Sequence, residues 1–94
     1  MVYKNKKSYR ELERLVRGFA NHRRIQIMEL LKNDPELSVF EIAEDLKINY
    51  KTASDHIRRL AIAGLVLKRY AGLNVRHKLT ERGKSILLFL RILE

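Results

Sequence analysis

The chain has no cysteine. That excludes disulfides, thiolate metal sites and cysteine nucleophiles, and it fits an intracellular setting. Long apolar runs are also missing. The longest, Ile86 to Leu90, falls far short of the roughly 20 residues a membrane-spanning helix needs. Met1 to Arg10 is polar and lysine-rich with no apolar segment behind it, so no signal peptide is expected. Four tyrosines and three phenylalanines are scattered along the chain, which gives no platform for stacking RNA bases. Acidic residues are few, 11 against 20 lysines and arginines, and the net charge is +9. Such an excess favours polyanionic partners, nucleic acid first and an anionic membrane surface second. No catalytic triad, paired carboxylates or phosphate-binding glycine loop is present, so no enzymatic activity and no cofactor are expected. His22, His56 and His77 are never three or four residues apart, so no local metal-binding pair arises and no metal site is expected.

What is there is enough for a single domain. Ninety-four residues, 46% of them hydrophobic, support one modest core. Residues 1–7, with Lys4, Lys6 and Lys7, read as a flexible basic arm, and residues 8–94 as the domain. Ser8 and Glu11 have capping-box spacing, and Leu12, Leu15, Val16 and Phe19 then recur with helical period. Gly18 weakens the end of this helix. Asn21 can cap a second helix with a wide apolar face from Ile25 to Leu31, ended before Pro35. Ser38 and Glu41 repeat the capping box for a third helix over Val39 to Leu46. Asn49 can cap a fourth over Tyr50 to Ala63, with Gly64 as its left-handed terminator. The period then changes. Leu65 to Tyr70 and Val75 to Leu79 read as strands around an Ala71–Asn74 turn, and Thr80 can cap a last helix toward Leu93. The order α-α-α-α-β-β-α makes a mainly α (α+β) single domain.

The third and fourth helices and the turn at Lys47 to Asn49 have the proportions of a helix-turn-helix. With Ala53, Ile57 and Leu60 turned inward, the fourth helix presents Tyr50, Lys51, Thr52, Ser54, Asp55, Arg58 and Arg59 outward or to its flanks. An amphipathic basic helix of this kind suits a DNA major groove. Tyr50, Lys51, Thr52, Ser54 and Asp55 are candidates for base edges, and Arg58 and Arg59 for phosphates. The plainer alternative is a solvated face in which Asp55 pairs with Arg59 at i, i+4. His56, beside that face, would make binding weakly pH-dependent. The hairpin carries Lys68, Arg69, Arg76 and Lys78, with Asn74 near its tip, as a second basic surface; the alternative is an edge protected by charge. Ile86, Leu87, Leu88, Phe89, Leu90, Ile92 and Leu93 cover more than one side of the last helix, which calls for a partner surface.

The segments FANHRRIQIMELL and LSVFEIAEDLKINYKTASDHIRRLAIAGLV, followed by a basic hairpin and LTERGK, resemble the winged helix-turn-helix transcription regulators of the ArsR type over about residues 12–84. LTERG after the hairpin is also similar to MarR-like winged helices. The resemblance implies a homodimeric repressor or activator on double-stranded DNA with a pseudo-palindromic site, acting in the cytoplasm on the nucleoid. It implies a dimer interface from the first and last helices, here Leu12, Leu15, Val16 and Phe19 with Ile86, Phe89, Leu90 and Leu93. Metal sensing is not implied. Where metal-sensing members carry cysteines this chain has Leu37-Ser38-Val39-Phe40-Glu41, and its last helix has Glu81 and Glu94 but no histidine. The alternatives are a non-specific architectural DNA-binding protein and a protein-interaction module docking through the last helix. The sequence names no small-molecule effector.

Overall fold

Each of the five helices among the described residues begins at a side chain that accepts a backbone N–H group otherwise left without a partner. Ser8 and Glu11 cap one another reciprocally at the start of α1, Tyr9–Phe19. Asn21 accepts from the amides of Arg23 and Arg24 at α2, His22–Asn33. Ser38 and Glu41 close a second capping box at α3, Val39–Leu46. Asn49 caps α4, Tyr50–Ile62, and Thr80 caps α5, Glu81–Ile92. Between α4 and α5 runs an antiparallel hairpin, β1 (Val66–Ala71) and β2 (Asn74–Leu79). This is a computed structural model and it describes residues 6–94. Of the basic arm read over residues 1–7, only Lys6 and Lys7 fall within the described residues.

The core lies where α2, α3 and α4 meet the base of the hairpin. Ile27, Met28 and Leu31 of α2 pack with Ile42, Ile57, Leu60, Leu65, Val66 and Leu79, and Leu87 closes one side. The fourth helix thus anchors itself through Ala53, Ile57 and Leu60, as its apolar period requires. Gly18 has a second role beyond weakening α1: a Cβ there would lie 2.5 Å from the Cβ of Ala63, so its absence lets α1 approach the end of α4.

Three boundaries differ from the sequence reading. Leu65 is core rather than strand, and α4 ends at Ile62 with Ala63 as its cap. The hairpin turn is also tighter. Ala71 and Asn74 pair across the ladder, leaving Gly72 and Leu73 as a two-residue loop. Gly72 alone in that loop has positive φ, 63°, which is the type II′ arrangement whose twist matches the strands.

The hairpin is tied to the α2–α3 connection at Leu37. The His77 amide donates to the Leu37 carbonyl at 3.0 Å and the Glu36 amide to the His77 carbonyl at 2.9 Å. The His77 ring, 1% exposed, bonds the same Leu37 oxygen through Nδ1 at 2.8 Å. A carbonyl can only accept, so Nδ1 carries the proton. In the neutral ring Nε2 is then a bare acceptor, buried and without a partner among the described residues. Burial pushes the His77 pKa below its ordinary 6.5; the Leu37 carbonyl opposes this and Lys68 adds to it. The unfolded chain therefore binds a proton near pH 6.5 that the folded chain resists, and stability falls as pH drops from there toward the lower folded value. His56 is shifted the same way, first by burial and then by Arg24. We expect the melting temperature to decline between pH 7 and 5, and His77→Asn, which keeps an amide donor toward Leu37, to remove part of that decline. An identical decline in the variant would contradict the assignment.

Candidate nucleic-acid interface

The helix-turn-helix is built by a left-handed residue and a cap. Lys47 ends α3 with φ 55° and ψ 48°, and its amide donates to Glu44 O. Ile48, half-buried, returns a hydrogen bond from its amide to Ala43 O, and Asn49 then starts α4 through its side chain, 2.7 Å from the Lys51 amide. Three residues, Lys47 to Asn49, thus turn the chain, which fixes α4 against α3 with its N-terminal turn in solvent.

On that turn Tyr50, Lys51 and Thr52 are exposed, and Ser54 and Asp55 are half-buried on the flanks. Arg58 and Arg59 are exposed one turn further on. Asp55 brings these together. Its carboxylate accepts from Arg58 Nη2 at 2.6 Å and from Arg59 Nε at 3.2 Å, and the two guanidiniums hold its pKa below the usual value. The plainer sequence alternative for Asp55, an i, i+4 pair with Arg59, is therefore present and is joined by Arg58. His56 points the other way. It is half-buried against α2, with Arg24 Nη1 3.3 Å from its Nδ1. An arginine can only donate, so Nδ1 accepts and the ring is neutral.

The hairpin separates its four cations by role. Direct pairing places Arg69 opposite Arg76 on one face, with Lys78 beside them, while Lys68 stands opposite His77 on the other face. Arg69 is bonded to Glu36 through Nε at 2.9 and 3.0 Å and through Nη2 at 2.8 Å. Arg76 reaches Glu41 Oε1 and the Glu36 carbonyl, both at 3.1 Å. These two arginines pin the hairpin to the α2–α3 connection. Lys68 and Lys78 have no carboxylate partner among the described residues, and with Asn74 they are exposed. The anchoring carboxylates, Glu36 and Glu41, were not legible as such in the sequence, since nothing local pairs residues some 30 positions apart.

The apolar face of α5 is the third feature. Leu87 enters the core, and Ile86 and Leu90 pack half-buried against it. The opposite side stays in solvent: Leu88 is 67% exposed, Phe89 52%, Ile92 73% and Leu93 65%. Leu12 and Val16 of α1 are exposed as well, and Leu15 is half-buried. Phe19, read from the sequence as an interface residue, is 7% exposed and belongs to this chain's own core. Conversely, Leu88 and Ile92 are the more exposed members of the α5 face. Composition could not sort these, because α5 is apolar on most sides and its orientation is set by Gly83 and Leu87 packing inward.

Among the described residues, no group of three or more His, Asp or Glu is placed to hold a metal ion, and no helix is long and apolar enough to cross a membrane. A three-helix core with a helix-turn-helix and a following basic hairpin defines the class of winged helix-turn-helix transcriptional regulators. The sequence model of the bacterial regulatory proteins of the arsR family matches residues 21–68, from the cap of α2 into β1. The chain belongs to this family. No curated protein sequence matches it. Solved structures do. HlyU from Vibrio cholerae is 30% identical, over 94% of this chain and 96% of that one, with a TM-score of 0.77. The transcriptional regulator HlyU from Vibrio vulnificus is 33% identical, over 89% and 88%, with a TM-score of 0.72. A homodimeric winged helix-turn-helix DNA-binding domain from Mycobacterium bovis, described as a possible ArsR-family regulator, is 25% identical over 97% and 89%, with a TM-score of 0.80.

Proposed function

We propose that this regulator binds double-stranded DNA sequence-specifically as a homodimer and acts as a cytoplasmic, nucleoid-associated repressor. The observation that carries the reading is α4 itself. A buried Ala53–Ile57–Leu60 stripe holds the helix to the core, while Lys51 and Thr52 and the Asp55-paired Arg58 and Arg59 are exposed on the other side. In this reading Tyr50, Lys51, Thr52 and Ser54 meet base edges, with the Tyr50 ring suited to a thymine methyl and the Lys51 ammonium to guanine. Arg58 and Arg59 meet phosphates, oriented by Asp55. On the wing, Lys68, Lys78 and Asn74 reach the backbone, and Arg69 and Arg76 keep the wing in position for them. Leu12, Leu15 and Val16 with Ile86, Phe89, Leu90 and Leu93, joined by Leu88 and Ile92, form the dimer face. The family membership and the homodimeric state of the Mycobacterium bovis domain support this reading.

The test is selection of bound duplexes from random DNA by the pure protein. Enrichment of a pseudo-palindrome with half-site centres about 10 base pairs, one helical turn, apart is the expected result. Recovery of unrelated sequences would favour an architectural role, and no recovery at low salt would reject DNA binding.

Asp55 gives a sharper prediction. Asp55→Asn frees Arg58 and Arg59 and removes one negative charge from the contact face. Affinity for any duplex at about 50 mM salt should rise severalfold, with a salt slope steeper by about one ion. Fluorescence anisotropy across a salt series checks it. A loss confined to one operator position would instead make Asp55 a base reader, accepting from cytosine.

A further inference from the structure

Between α1 and the C-terminal half of α4 lies a cleft of about 530 Å³. Its floor is apolar, with Leu15 and Gly18 from α1 and Ala63 at the cap of α4, and Ile62, 75% exposed, adds apolar surface at its edge. Gly18 makes the floor possible, since any larger residue would meet Ala63. Its walls are cationic: Lys7, Arg14 and Arg17 come from α1 and the residue before its cap, Arg58 and Arg59 from α4, and Arg82 from α5. Glu11 is the single carboxylate lining the cleft among the described residues, and it is already committed to the Ser8 amide and to Lys7. Arg14 has no carboxylate partner among the described residues, Arg82 donates only to the Ala63 carbonyl, Arg17 pairs with Glu13, and Arg58 and Arg59 share Asp55.

Cations brought together in one concavity repel, and an anion seated among them relieves that repulsion. Guanidiniums hold phosphate or carboxylate oxygens in a two-point fork, and a cleft of this volume with an apolar floor fits a small organic molecule better than a bare ion. We propose that the α1–α4 cleft is an effector site for a small amphiphilic anion, a phosphate- or carboxylate-bearing molecule with an apolar body, which draws Arg58 and Arg59 away from Asp55. By helical period Arg14 and Gly18 lie on the side of α1 opposite Val16, and Leu15, between them, borders both the cleft and the dimer face proposed above. Asp55, Arg58 and Arg59 are on the outward face of α4, so occupancy lowers DNA affinity. That consequence rests on the DNA-binding reading; the binding itself does not.

The experiment is amide chemical-shift mapping of the full chain without DNA, using 1-naphthyl phosphate, inorganic phosphate and 1-naphthol as probes. Naphthyl phosphate should move the amides of Leu15, Gly18, Ile62 and Ala63 saturably, with a Kd below about 1 mM, and neither of its halves should match it. Arg14→Gln, Arg59→Gln and Ile62→Ser alter exposed side chains and should each weaken binding about three- to tenfold, while Lys32→Gln, far along α2, should not. Shifts confined to the Leu88–Phe89 face, shifts scattered over Lys51, Lys68 and Lys78, or equal binding of inorganic phosphate would each overturn the proposal. So would a short duplex that moves the same four amides as strongly as the probe, since the cleft would then serve DNA phosphates. If a duplex fails to bind at all while the probe binds, the DNA reading falls and the cleft stands.

Discussion

Replacing both Phe89 and Ile92 with glutamate should yield a folded monomer whose affinity for operator DNA is lower by about 10²- to 10⁴-fold. Both side chains are more than half exposed, so neither is needed for this chain's own core. Their removal touches only the surface left over once Leu87 has entered the core. A soluble monomer rarely exposes so contiguous an apolar strip without using it, and here Leu88, Phe89 and Ile92 of α5 and its cap Leu93 form one such side. The size of the loss follows from linked binding. In a dimer the second recognition helix binds intramolecularly, at an effective concentration that multiplies affinity by factors of this order. Light scattering and anisotropy on one preparation check the prediction, with circular dichroism to show that the fold persists. A variant that keeps a dimeric mass would move the interface elsewhere.

The second large effect lies at Gly83. Thr80 caps α5 through its hydroxyl, which also donates to the Gly64 carbonyl at 2.7 Å, while the Thr80 amide donates to the Leu65 carbonyl at 3.0 Å. The first turn of α5 is thereby clamped against the junction of α4 and β1. A Cβ at Gly83 would fall 2.5 Å from that same Leu65 oxygen and 2.5 Å from Leu79 Cδ1. The oxygen is backbone already engaged by Thr80, so it cannot yield without breaking the clamp. Gly83→Ala should cost about 1–3 kcal/mol, and Gly83→Val more. In a domain of this size each kcal/mol lowers the melting temperature by about 4–8 °C. Gly72→Ala is the control. No atom lies within 4 Å of its Cβ position, and only the strain of φ 63° is incurred, about 1 kcal/mol. Equal melting of the Gly83→Ala and parent proteins would show that the junction yields more easily than its geometry implies.

The sequence made local matters legible. Every helix start was written in a Ser, Asn or Thr cap, and the inward stripe of α4 followed from Ala53, Ile57 and Leu60 at helical spacing. The helix-turn-helix and the hairpin could be placed for that reason. What was not legible depends on contacts between distant positions. Arg69 and Arg76 read as free wing cations, yet Glu36 and Glu41 hold them from another part of the chain. Phe19 had the spacing of a surface stripe but lies close enough to the core to be buried. His77 gave no sign that its ring would be sealed against Leu37. The α1–α4 cleft was equally hidden, because its cations come from three helices and from Lys7 ahead of the first, and converge through the close approach that Gly18 permits.

The most direct test of the central claim is fluorescence anisotropy of the pure protein on a duplex from its own upstream region and on a scrambled duplex, from about 50 to 300 mM salt. A sequence-specific regulator should prefer the upstream sequence by about 10³-fold or more, with affinity for both duplexes falling steeply as salt rises. Absence of binding to either duplex at the lowest salt would contradict it.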